Sequence, residues 1–251
     1  MRKFFVASFT AGLILAVGNA AMAQSPEPSA NINVGGQNFD LSSAITDTGA
    51  GFSLPSTSLA LAGGSIIKVG FEADKDPSIT YTFSVTNPSP VSQTYDFDLI
   101  IPVIPTVANS PTKASLNGGM TAGDNGSVSV TQTGEFTALQ RATGVDTMGM
   151  DHDLGLDVGP NITRSGDPGD SFLYPNSVKT GTSSFIITSL DAHLHFILSG
   201  NSSGATFSGR VSVTGAPAKL DAVPEPGSLA MVGAIGVCVS GLTLRRRRSL
   251  R

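Results

Sequence analysis

The 251-residue sequence contains no tryptophan, one cysteine, three histidines and three tyrosines, and only 14% of its residues are charged. A single cysteine excludes an intramolecular disulfide and any multi-cysteine metal site. Without tryptophan, the best flat face for stacking on a sugar ring is missing. Scarce charge beside 29 glycines and 15 prolines excludes a helical bundle or coiled coil, which need charged helix formers. Basic residues are scarcest in the body of the chain. Residues 24–222 hold eight lysines and arginines against 18 carboxylates, a net charge of −10. The whole-chain value of −4 conceals this, because five arginines crowd the last seven residues. An acidic body argues against nucleic acid and anionic lipid as partners.

The two ends differ from the body. Arg2 and Lys3 precede a charge-free, largely apolar run over Val6–Val17, and Ala21-Met22-Ala23 then sets small residues at the −3 and −1 positions of a cleavage site before Gln24. That order predicts a secretory signal peptide over residues 1–23, so the body is expected to fold outside the cytoplasm. At the other end, Val223-Pro224-Glu225-Pro226 is followed by the apolar stretch Leu229–Leu244 and then by Arg245, Arg246, Arg247 and Arg248. Prolines on both sides of Glu225 lock φ and remove donors, which keeps the tetrapeptide extended and accessible. The apolar stretch has 16 residues, about 24 Å of helix at ~1.5 Å per residue, against a hydrocarbon core of about 30 Å. The four arginines stop transfer and stay cytoplasmic, so Pro-Glu-Pro is expected at the outer surface of the membrane. Cys238 lies inside the apolar stretch and reads as a small buried apolar residue.

Residues 223–248, with the Val-Pro-Glu-Pro motif, a glycine-containing apolar helix and a terminal arginine run, resemble the PEP-CTERM sorting signal of Gram-negative bacteria. The likeness covers about a tenth of the chain. It implies recognition by an exosortase, a membrane-embedded protease that removes the tail. It also implies a membrane-tethered precursor that becomes a surface or matrix protein, in the company of exopolysaccharide and biofilm.

Between the ends, the clear periodicity is two. Ile79, Tyr81, Phe83 and Val85 alternate with polar residues until Asn87-Pro88-Ser89-Pro90, and Tyr95, Phe97 and Leu99 alternate after it. Leu194, Phe196 and Leu198 alternate in the same way, followed across a turn-rich segment by Phe207, Gly209, Val211 and Val213. Each of these pairs of runs is expected to form antiparallel neighbours with one wet face. Weaker strand signals cover Ser65–Phe71, Ser127–Gln132 after the hairpin-type turn Asp124-Asn125-Gly126, Glu135–Leu139 and Ser183–Leu190. Pro105–Gly126 and Gly144–Gly181 read as long loops. No segment offers three clean helical turns. The expectation is an all-β fold: a single antiparallel β-sandwich over residues 24–222, immunoglobulin-like or jelly-roll in style, flanked by the signal peptide and one C-terminal transmembrane helix.

Two constellations invite chemistry. Asp151, Asp153 and Asp157 offer oxygen ligands at i, i+2 and i+6, with Asp167 and Asp170 nearby, a spacing a calcium loop can use. Gly155 and Leu156 at its fifth and sixth places, and Ile162 at its twelfth, depart from the EF-hand pattern, so an acidic solvated loop is the other reading. Asp191, His193 and His195 share one face of a strand whose opposite face is apolar. Two histidines two apart can hold a zinc or copper ion with a third ligand from a neighbouring strand, or simply form a wet face. Asp96 and Asp98 also share a strand face. There is no Gly-x-Ser-x-Gly nucleophile elbow and histidine bases are few, so catalysis is not expected. Among the tyrosines, Tyr174 is the one candidate platform for a sugar, or else an aromatic that anchors its loop. The functional expectation is an exported matrix protein that acts by non-covalent association. The rival is a calcium-dependent carbohydrate-binding or adhesion module.

Overall fold

A strand whose alternate residues are apolar can bury only one face, so it needs both lateral neighbours and a second apolar layer. The computed structural model describes residues 27–61, 64–74, 77–133 and 137–214. It supplies both through fifteen strands. These begin with β1 (Ser29–Val34), β2 (Gln37–Asp40), β3 (Thr46–Asp47), β4 (Gly51–Ala60) and β5 (Ile66–Asp74). Next come β6 (Ser78–Asn87), β7 (Gln93–Ala108), β8 (Pro111–Thr121), β9 (Ser127–Thr131) and β10 (Gln140–Val145). The last are β11 (Asp151–Asp153), β12 (Ile162–Ser165), β13 (Ser171–Thr182), β14 (Ile186–Leu198) and β15 (Ser203–Val213). Residues 1–23 with Gln24, expected as a signal peptide, and the tail 223–248 with its motif, apolar stretch and arginines, lie outside the described residues. Among the described residues no helix is long and apolar enough to cross a membrane.

The strands form two antiparallel sheets. One runs β11-β10-β14-β7-β1-β2, with β9 also pairing β14 and β12 pairing β9. The other runs β13-β8-β15-β6-β5-β4-β3. The fold is therefore all-β and antiparallel, as the period of two implied. The alternation also assigns faces correctly: Ile79, Tyr81, Phe83 and Val85 of β6, Tyr95, Phe97 and Leu99 of β7, and Leu194, Phe196 and Leu198 of β14 are all buried. Rings from the two sheets meet edge-on, with centroids 5.6 Å apart for Tyr81 and Phe97, 5.9 Å for Phe83 and Phe196, and 5.1 Å for Phe196 and Phe207. Such pairs contribute about 0.5–1.5 kcal/mol each beyond the area they bury.

Pairing differs from the expectation. The runs at Ile79 and Tyr95 are not neighbours, and neither are those at Leu194 and Phe207. Strand β6 pairs with β5 and β15, while β7 pairs with β1 and β14. Both links cross between the sheets instead of closing hairpins. In the first link, Pro88 and Pro90 have no N–H to extend a ladder. In the second, Asn201 and Ser202 adopt positive φ of 59° and 64°, turning the chain beside the first link, where Asn201 N donates to Ser89 O at 2.6 Å. Asn87 is fully buried at this corner, and its Nδ2 donates to Val91 O, Leu198 O and Ser199 O at 3.0, 3.3 and 3.1 Å.

The expected loops also contain strands. Within Pro105–Gly126 lies β8, which is paired along both edges. Its inward residues Thr112, Ala114 and Leu116 include two small ones, and Asn117-Gly118-Gly119 resembles a turn. Gly118 is required there, since a Cβ would sit 2.0 Å from Thr206 O on β15. Within Gly144–Gly181, β11, β12 and β13 appear, the last an edge strand whose register slips between Tyr174 and Ser177 around Pro175. An edge accommodates such a proline. Residues 137–139 form a bend, and the rest of that expected strand, Glu135 and Phe136, lies outside the described residues. Asp124-Asn125-Gly126 does turn, but it joins β8 to β9 in the other sheet. Ile186–Leu190 of the expected strand Ser183–Leu190 and the run Leu194–Leu198 belong to one long strand, β14, with residues 183–185 preceding it.

Candidate functional site

The inward residues of β14, Leu190, Ala192, Leu194, Phe196 and Leu198, drive one face of the strand into the core. A slip by one residue would expose all of them, so the opposite face is fixed as Asp191, His193 and His195. Antiparallel pairing with β7 sets Asp96 across from His195 and Asp98 across from His193. On the other side, β10 sets Arg141 across from His193 and Thr143 across from Asp191. The outer surface of the first sheet thus carries a compact block of imidazoles and carboxylates.

His193 lies between two aspartates. Its Nε2 is 2.9 Å from Asp96 Oδ1, and its Nδ1 is in contact with Asp98 Oδ1. His195 Nδ1 is 3.6 Å from the same Asp96 oxygen and 3.5 Å from His193 Nε2. The two imidazoles stack at 5.7 Å with 17° between their planes. Asp96 Oδ1 is buried, and its contacts are the ionic ones to the two imidazoles. The side chains of Asp96, His193 and His195 keep 28%, 20% and 18% of their surface, so the group is recessed yet open to solvent.

The charges follow from these distances. Burial alone pulls the His193 imidazole down, but contact with Asp96 and Asp98, together with their charge, pushes its pKa up to about 10. Burial raises the Asp96 carboxyl, and the contact and charge of His193 with the charge of His195 outweigh this and lower it. Asp191 is pushed up to about 7, first by burial and then by the charge of Asp98, with Asp151 adding to the rise and His193 and Thr143 opposing it.

Of the proposed calcium residues, Asp151 and Asp153 lie on β11 of the same sheet, and Asp157, Asp167 and Asp170 lie between strands. Asp153 accepts from Gly155 N at 2.7 Å and pairs with Arg141 at 3.1 Å. Asp157 Oδ2 accepts from Thr137 Oγ1 at 2.7 Å. Asp151 is exposed on β11, opposite Val145. Asp170 Oδ2 accepts from Asp167 N at 2.8 Å, within its own turn. Among the described residues, three ligand atoms of histidine, cysteine or acidic residues lie within 4.8 Å of one another at Asp96, His193 and His195, and Asp151, Asp153 and Asp157 do not form such a group. Tyr174 is an anchor: it is buried, its hydroxyl donates to Pro160 O at 2.5 Å, and its ring meets Phe207 edge-on at 5.2 Å.

One feature escaped the sequence reading. Asp146 Oδ1 accepts from Met148 N and Met150 N at 2.7 and 3.0 Å, while Oδ2 meets His152 Nε2 at 2.9 Å. Asp-x-x-Gly at residues 146–149 is the turn signal that pointed to it. No protein-family model matches the chain, and neither does any curated protein.

Proposed function

We propose that the chain is an exported surface or extracellular-matrix protein, delivered through its C-terminal tail by an exosortase-type membrane protease. In this reading residues 27–214 form one β-sandwich domain, immunoglobulin-like or jelly-roll in style, that works by non-covalent association with exopolysaccharide or matrix neighbours and not by catalysis. The observation that carries it is the order of parts at residues 223–248: Val-Pro-Glu-Pro, an apolar stretch without charge, then four arginines. Each part has its own physical role, as an accessible extended peptide, a membrane anchor and a stop to transfer. The two-sheet domain supports the proposal as a stable module able to fold after export with no disulfide. A calcium-dependent sugar-binding module has less support, because Tyr81, Tyr95 and Tyr174 are all buried and tryptophan is absent.

Mass spectrometry of the protein recovered from the cell surface and medium tests the reading. A C-terminus near Glu225 is the expected result. Recovery of chains ending at Arg251 from the same fraction would overturn removal of the tail, and unchanged location after deletion of residues 229–248 would overturn sorting by it.

A further inference from the structure

We propose that Asp96, His193 and His195 bind one divalent transition-metal ion, with zinc the best match, and that Asp98 orients His193 for it. The inference is independent of how the chain is sorted.

The spacing of the three donor atoms is that of a coordination shell. Zinc bonds of about 2.0–2.2 Å to nitrogen and oxygen, opened to a tetrahedral angle, place neighbouring ligand atoms about 3.3–3.5 Å apart. The three pairs here are separated by 2.9, 3.5 and 3.6 Å. A small cation at their centre reaches all three with shifts of a few tenths of an ångström. Two imidazole nitrogens face each other at 3.5 Å in nearly parallel rings, an arrangement that needs a proton or a cation between them. Asp96 Oδ1 is buried without a hydrogen-bond partner, and it is the oxygen that lies 2.9 and 3.6 Å from the two imidazole nitrogens.

Asp98 makes this a metal site and not merely a polar patch. A metal-bound histidine almost always donates its other ring N–H to a carboxylate, which fixes the tautomer and raises the basicity of the ligating nitrogen. His193 meets Asp98 in that way through Nδ1, which leaves Nε2 facing Asp96 and His195. A metal ligand must offer its lone pair, so an ion bound at Nε2 takes the place of a proton there. Two nitrogens and one oxygen suit zinc and its first-row neighbours, whereas calcium and magnesium take oxygen shells. The partial exposure of the three side chains leaves the fourth position to water or to a donor from a ligand.

The scaffold is stiff enough to hold the geometry. His193 and His195 are separated by one residue on β14, and Asp96 and Asp98 sit directly across from them on the adjacent strand. The ligand face is the reverse of a strand whose inward side chains are buried in the core.

Cobalt titration of the full chain in detergent, after chelator treatment, tests the site. One cobalt ion per chain with visible ligand-field bands is expected, and zinc should bleach them. His195→Gln and Asp96→Asn should each weaken binding at least tenfold, and Asp98→Asn about 10- to 100-fold. Independently of any substitution, zinc should protect His193 and His195, but not His152, from carbethoxylation read by peptide mass spectrometry. The proposal is overturned if the unsubstituted chain binds no cobalt, if either H195Q or D96N binds it unchanged, or if zinc protects neither histidine.

Discussion

The Tyr81 hydroxyl donates a 2.7 Å hydrogen bond to Gln140 Oε1, joining the two sheets through the interior. Both side chains are buried, at 1% and 0% exposure. A neutral hydrogen bond contributes about 0.5–1.5 kcal/mol net, but stranding its buried acceptor costs about 1–3 kcal/mol. Tyr81→Phe should therefore lower stability by about 1–3 kcal/mol, read as a fall in the urea midpoint at constant slope. The double change Tyr81→Phe with Gln140→Met removes both polar partners and should lose less than Tyr81→Phe alone. Equal or greater loss in the double variant would show that the bond is not what Tyr81 contributes.

The same ring makes Gly209 indispensable. A Cβ at that position on β15 would lie 2.1 Å from Tyr81 Cζ, on the strand next to β6. Gly209→Ala must push the ring off its place against Phe97, and overpacking of this kind costs about 1–3 kcal/mol. Thermal unfolding should show the loss, and Gly36→Ala, at a turn where nothing lies within 4 Å, tells steric crowding from backbone strain at its positive φ.

Faces were legible in the sequence and partners were not. Alternation of Leu194, Phe196 and Leu198 with His193 and His195 reports which side of a strand is wet, because burial repeats every second residue. That sufficed to place two histidines together. It carries no information about which strand lies alongside, so Asp96 opposite His195 became visible only with the register of β7 and β14. Local signals also misread β8, since Gly118 looks like a turn residue until the neighbouring backbone of β15 is seen to leave no room for a Cβ. The link at Asn87-Pro88 was recognised as a stop to β6. That Asn87 is a buried clamp depends on carbonyls more than a hundred residues away.

Asn87 accordingly supplies a third prediction. Its amide donates to three carbonyls that end β14 and open β7, and its Oδ1 accepts from Ser89 N at 3.1 Å. Asn87→Ala should cost about 1–3 kcal/mol through the unpaired carbonyls. Asn87→Asp should cost more, since it turns a carboxylate toward those same oxygens. Unfolding curves of the two variants at neutral pH decide it, and an aspartate as well tolerated as alanine would contradict the clamp.

Asp191 gives the metal-free protein a distinct response to pH. Its carboxyl ionises at about 7 when folded, against 3.8 as a free side chain. Between those values the folded chain retains a proton that the unfolded chain has released, so stability falls as pH rises through this window and levels off above it. His193 extends the fall. Its contribution is complete below the ordinary imidazole value of 6.5 and is lost as pH climbs through about 10. Asp191→Asn removes the first window and leaves the second. With chelator present, the melting temperature of the unsubstituted protein should drop across both windows. That of D191N should stay level up to about pH 6.5 and then fall, remaining above the unsubstituted protein at about pH 8. Asp191 Oδ1 is buried without a hydrogen-bond partner, so neutralising this group relieves a cost and removes no bond that Oδ1 makes. Parallel pH profiles for the two proteins would mean that Asp191 is ionised throughout, and the electrostatic account of this face would fail with it.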